Sequence, residues 1–128
     1  MSQTASFPAT EDTFLGKDGV KIFYRSWPTA EAPRAVVVIC HGFNAHSGLC
    51  EWAASQLTAA GFAAFAADLR GRGKSEGERF YVEDIGDYVA DVAGMVAIAK
   101  ERHPGLPVFL LGHSAGGVTS AVYVLDHP

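Results

Sequence analysis

Cysteine is scarce. The chain has two, Cys40 and Cys50, too few for the disulfide framework of a small secreted domain. Both are read as buried free thiols, which suits a reducing compartment. Basic residues are few as well: ten Lys and Arg stand against fourteen Asp and Glu, for a net charge of −4. Nucleic acid is thereby excluded as the main partner, because phosphate binding needs a basic face. No run approaches the ~18 apolar residues of a membrane-spanning helix. The longest, AVVVIC at 35–40 and FAAFAA at 62–67, are the size of strands. The opening MSQTASFPATEDTF has neither a basic start nor an apolar run, so no secretory leader is expected. Repeats and low-complexity tracts are also missing. The expected location is cytoplasmic, at most peripheral to a membrane.

What remains is a foldable chain. Hydrophobic residues make up 48% and charged residues 19% of 128 positions, which excludes disorder and fits one domain or part of one. Residues 1–11 are polar and expected to be mobile. From Asp12 the pattern is a leading β-hairpin: Thr13–Leu15, a turn at Gly16-Lys17-Asp18-Gly19, then Val20–Arg25 alternating apolar and polar. Ala35–Cys40, Phe62–Ala67 and Val108–Leu111 are three continuous apolar runs, as expected of strands buried on both faces. Helices are expected between and after them. Glu51–Ala60 turns Trp52 and Leu57 inward and stops at Gly61. Ile85, Tyr88, Val89, Val92, Val96 and Ala99 recur at spacings of three and four, one helix face, which His103-Pro104-Gly105 ends. Another helix follows from Ala115. Strands alternating with helices predict an α/β fold with a mostly parallel sheet and helices on both faces. The ligand site of such a sheet lies at the carboxyl ends of its strands.

Three motifs fall at that edge. Gly112-His113-Ser114-Ala115-Gly116 matches G-x-S-x-G, placed where a buried strand runs into a helix. A sharp turn there lifts the Ser114 hydroxyl above the sheet, with Gly112 and Gly116 needed for clearance and Gly117 adding more. The helix start aims its amides and positive dipole end at the serine, which suits a developing oxyanion. His113 is adjacent and turned away, so it is not the base. The second motif, His41-Gly42-Phe43, follows the first buried run; Gly42 lets backbone approach a substrate oxygen, and His41 reads as a packing or loop-fixing residue. Cys40, His41, His46 and Cys50 have no recognised metal-ligand spacing, so no metal is expected. The third motif, Asp68–Ser75, imitates a phosphate loop at Gly73-Lys74-Ser75. Asp68 stands where that motif needs glycine and would repel phosphate, so it reads as a structural loop whose charges pair locally.

HGFNAHSG at 41–48, DLRGRGKSEGERF at 68–80 and PGLPVFLLGHSAGG at 104–117 together resemble the monoacylglycerol lipase and lysophospholipase family of α/β-hydrolases, from about Phe14 onward. The resemblance implies a serine hydrolase acting on small lipid esters, with Ser114 as nucleophile and the backbone amides of Phe43 and Ala115 as the oxyanion hole. It implies no organic or metal cofactor. The family's acid and histidine follow the serine, yet fourteen residues remain after Ser114. Asp126 and His127 sit at the far end of its helix, ~18 Å away at 1.5 Å per residue. The triad acid and histidine are therefore expected in neither position. Residues 12–128 are expected to be a partial domain, the amino-terminal half of the fold, without the later strands or the lid through which the family meets membranes. The chain by itself is expected to be inactive, and to self-associate through an exposed sheet edge. A non-catalytic binding module with the same fold is the alternative.

Overall fold

The computed structural model describes residues 9–42 and 45–127. Five strands, β1 (Thr10–Leu15), β2 (Lys21–Trp27), β3 (Ala35–Cys40), β4 (Phe62–Ala67) and β5 (Val108–Gly112), form one sheet in the order β1-β2-β4-β3-β5. Three helices, α1 (Glu51–Ala59), α2 (Ile85–Arg102) and α3 (Ala115–Asp126), are interleaved with the last three strands. The sheet is mixed. β3 runs parallel to β4 and β5, while β2 is antiparallel to both β1 and β4. The hairpin begins at Thr10, ahead of Asp12, and Thr10 to Leu15 pair with Ser26 to Lys21. Residues 1–8 of the expected mobile segment lie outside the described residues.

β3 is buried at all six positions because strands flank it and helices cover both its faces. Alternate side chains serve the two sides. Val36, Val38 and Cys40 join Tyr88, Val92, Met95 and Ala99 of α2, while Val37 and Ile39 join Ala54 of α1. α2 is capped by Asp84, whose side chain accepts from the Gly86 amide at 2.7 Å.

Three inward expectations need correction. Trp52 is 75% exposed, and Ala54 is the α1 residue that is buried. Ala54 packs with Ala64 and Ala66 of β4 in one cluster. Ile85, the first residue of α2, is also exposed. Finally, β5 is half-exposed. It has one strand neighbour, β3, so Phe109 and Leu111 turn outward on a sheet face without a covering helix among the described residues.

Candidate active site

The carboxyl ends of β3, β4 and β5 converge on one edge, and each of the three sequence motifs leaves from it. The turn after β5 is the most constrained. Ser114 stands between β5 and α3 with φ 56° and ψ −120°, a left-handed backbone conformation that a side chain rarely adopts. Three bonds hold it there. The His113 amide donates to the Cys40 carbonyl at 3.2 Å, Gly116 donates to His113 and Gly117 to Ser114, both at 2.9 Å. Strain at one residue persists because its neighbours over-determine it.

The glycines divide by role. A methyl on Gly112 would lie 2.6 Å from the Gly116 carbonyl oxygen and the Gly117 Cα. On Gly116 it would fall onto the Cys40 carbonyl and within 2.5 Å of that of His41. Both positions require glycine. At Gly117 the nearest atom would be 3.7 Å away, an ordinary contact, so clearance there is not demanded. Gly42 faces the elbow itself: a methyl would meet the His113 carbonyl at 3.4 Å, the Ser114 Cβ at 3.5 Å and the Ala115 nitrogen at 4.0 Å.

Ser114 is exposed, and its hydroxyl has no hydrogen-bond partner among the described residues. The Ala115 amide begins α3, where helix N–H groups lack intrahelical partners, and the dipole there favours an anion. Phe43, expected to give the second amide, lies outside the described residues. At the other end of the twelve-residue α3, His127 donates from Nδ1 to the Tyr123 carbonyl, 3.1 Å away, and stacks on the Tyr123 ring at 4.5 Å. Asp126 ends the same helix. Neither side chain is brought near Ser114.

The turn after β4 is a rigid buttress. Asp68, 1% exposed, accepts from the Ser47 amide at 2.6 Å and the Lys74 amide at 2.8 Å. Lys74 lays its ammonium over the Phe23 ring. The charge pairing is not local, contrary to the sequence reading. Arg70 reaches Asp91 on α2, with its Nη2 2.9 Å from Oδ1, and its backbone amide donates to the same carboxylate at 3.0 Å. Burial is the largest influence on Asp91 and pushes its carboxyl above the usual range, against the pull of Arg70. Sequence reasoning missed Asp91. Its signal was a carboxylate at an inward position of α2, between Tyr88 and Met95.

Next to His113 and Gly42 opens a cavity of about 430 Å³. Its apolar wall is Ile39, Leu49, Ala53 and Leu111, with Cys50 between them. The cysteines are free and buried, and burial raises both thiols, Cys40 to about 12 and Cys50 to about 11.

Comparison with known proteins agrees with this geometry. The family model described as Serine aminopeptidase, S33 matches residues 31–128. The monoacylglycerol lipase of Mycolicibacterium smegmatis is 40% identical over 119 residues, which cover 93% of this chain and 42% of that protein. Human monoglyceride lipase is 40% identical over 114 residues, covering 89% of this chain and 38% of that one. A thermostable carboxyl esterase of Bacillus coagulans, solved with glycerol, superposes with a TM-score of 0.85 at 25% identity, over 94% of this chain and 41% of its own. The chain thus spans about two fifths of the length of these relatives.

Proposed function

The chain belongs to the α/β-hydrolase family described as Serine aminopeptidase, S33, as a relative of the monoacylglycerol lipases, and from that premise we propose that the whole protein is a serine esterase of small lipid esters. In this reading Ser114 attacks the ester carbonyl and carries the acyl group until water releases it. The Ala115 amide, together with that of Phe43, stabilises the oxyanion of the tetrahedral intermediates. The observation that carries the proposal is the conformation of Ser114. A strained, solvent-facing serine at a helix start, with Gly42 leaving open space beside the Ala115 nitrogen, is built for acyl transfer.

The lipid preference rests on the relatives' names and on the cavity. The walls formed by Ile39, Leu49, Ala53 and Leu111 suit an alkyl chain.

The mechanism needs a general base and an orienting acid, and Asp126 and His127 supply neither from their end of α3. The test is hydrolysis of monoacylglycerol and of a short-chain nitrophenyl ester by the full-length protein beside Ser114→Ala. The expected loss is about 10⁴-fold or more, because removing the nucleophile leaves the weak catalysis of the remaining site. Full activity in Ser114→Ala would end the proposal.

A further inference from the structure

The sequence reads His41 as a packing or loop-fixing residue. Its partners are more informative than that. The ring is buried, 3% exposed, and each nitrogen has one partner. Nδ1 lies 2.6 Å from the Gly42 carbonyl oxygen, and Nε2 lies 3.0 Å from the Leu69 backbone nitrogen. A carbonyl can only accept and a backbone N–H can only donate. Nδ1 must therefore carry the proton and Nε2 must present its lone pair, which fixes one tautomer of the neutral ring.

The two ends of this bridge lie in different parts of the site. Leu69 belongs to the turn after β4, which Asp68 and Asp91 hold on either side through the Lys74 and Arg70 amides. Gly42 belongs to the turn after β3, whose backbone lies against the elbow. The Cys40 carbonyl receives the His113 amide, and the carbonyls of Cys40 and His41 press on Gly116. Gly42 itself lies beside the Ser114 Cβ and the Ala115 nitrogen.

We propose that His41, fixed as the Nδ1–H tautomer, is a positioning residue that ties the Gly42 turn to the buttress after β4 and so sets where Gly42 stands relative to Ser114 and Ala115. It is not a base, because both nitrogens are already used. Burial holds the ring below its ordinary pKa and so in the neutral form, with Arg72 and His46 acting in the same direction and Asp68 and the Gly42 bond against it. As a catalytic claim the inference rests on the esterase reading above; the tautomer does not.

The experiment uses the full-length protein with His41→Leu and His41→Gln, and follows kcat and KM for a short-chain nitrophenyl ester. Leu removes both bonds. Gln offers a donor and an acceptor side by side, spaced as the two ring nitrogens are. A misplacement of about 1 Å costs up to about 10²-fold in rate, so His41→Leu should lower kcat by roughly 30- to 100-fold with KM within about threefold. His41→Gln should return to within about tenfold of the parent. Long-range ¹⁵N–¹H correlation spectra of the parent should give a neutral Nδ1–H imidazole for His41. A full kcat in His41→Leu overturns the proposal, as does an Nε2–H or doubly protonated ring at neutral pH. If His41→Leu does not fold, the spectra and His41→Gln decide: a folded but inactive Gln variant would overturn the proposal, because Gln keeps the donor and the acceptor. Ser114→Ala keeps the two readings apart. Activity surviving that change defeats the esterase proposal while leaving the tautomer to the spectra.

Discussion

Replacing Gly42 with alanine separates the site's chemistry from its stability. Gly42 is not among the glycines with positive φ, so alanine is compatible with the backbone. Stiffening the unfolded chain contributes about 0.4–1 kcal/mol in favour of the fold at such a position. Against it stand contacts of 3.4 Å to the His113 carbonyl and 3.5 Å to the Ser114 Cβ, tight but short of a collision. The two effects offset each other, and stability should stay within about 1 kcal/mol of the parent. Activity should not. The added methyl would stand 4.0 Å from the Ala115 nitrogen, on the side where Gly42 leaves room for a substrate oxygen. Such an oxygen must come within about 2.7–3.1 Å of its donors, and loss of one oxyanion-hole donor costs about 10²–10³ in kcat. A fall of about 10²-fold in kcat/KM is expected for Gly42→Ala, measured with a nitrophenyl ester beside a urea melt of the same sample. Unchanged activity would refute the reasoning. So would a loss that merely tracks the unfolded fraction, because the damage would then be to the fold.

Other consequences are independent of Gly42. Asp91→Ala leaves the Arg70 guanidinium buried without its carboxylate, and should destabilise by about 3–5 kcal/mol in urea, with much of that recovered in an Arg70→Met, Asp91→Leu double variant. His41 and His103 both have pKa values lowered by burial, so at these two sites the fold binds fewer protons than the unfolded chain. Their stability contribution is present above the unfolded value of about 6.5 and lost as pH falls through the folded values; the urea midpoint should drop below about pH 6.5, less steeply in His41→Gln. Cys40 and Cys50, raised to about 12 and about 11, stay protonated at neutral pH and should alkylate slowly with iodoacetamide until urea unfolds the protein.

The elements most legible in the sequence were those whose pattern had one physical solution. The two β-branched or alanine-rich runs at 35–40 and 62–67 became strands with those bounds, since a strand buried on both faces leaves no alternation to misread. The α2 face was legible for the same reason, and the glycine-rich serine motif lies at the turn where a strand enters a helix. What depends on the partner surface was not legible. Trp52 faces out while Ala54 is the α1 residue that packs with Ala64 and Ala66 of β4, a choice of helix face set by another element. Phe109 and Leu111 are exposed because β5 has one neighbouring strand, and the mixed sheet order is likewise a matter of long-range pairing. The partners of Asp91 and the Leu69 partner of His41 were hidden because a buried polar residue shows its purpose only when hydrogen-bond partners 21 and 28 residues away are in place.

The central claim is that Ser114 carries the acyl group. Incubating the full-length protein with a fluorophosphonate, then digesting it and analysing the peptides by mass spectrometry, tests it directly. Stable modification should appear on the peptide containing Ser114, in stoichiometric amount, and vanish in Ser114→Ala or after urea unfolding. Esterase activity that persists while Ser114 stays unmodified, or label on a different residue that tracks the loss of activity, would contradict the account.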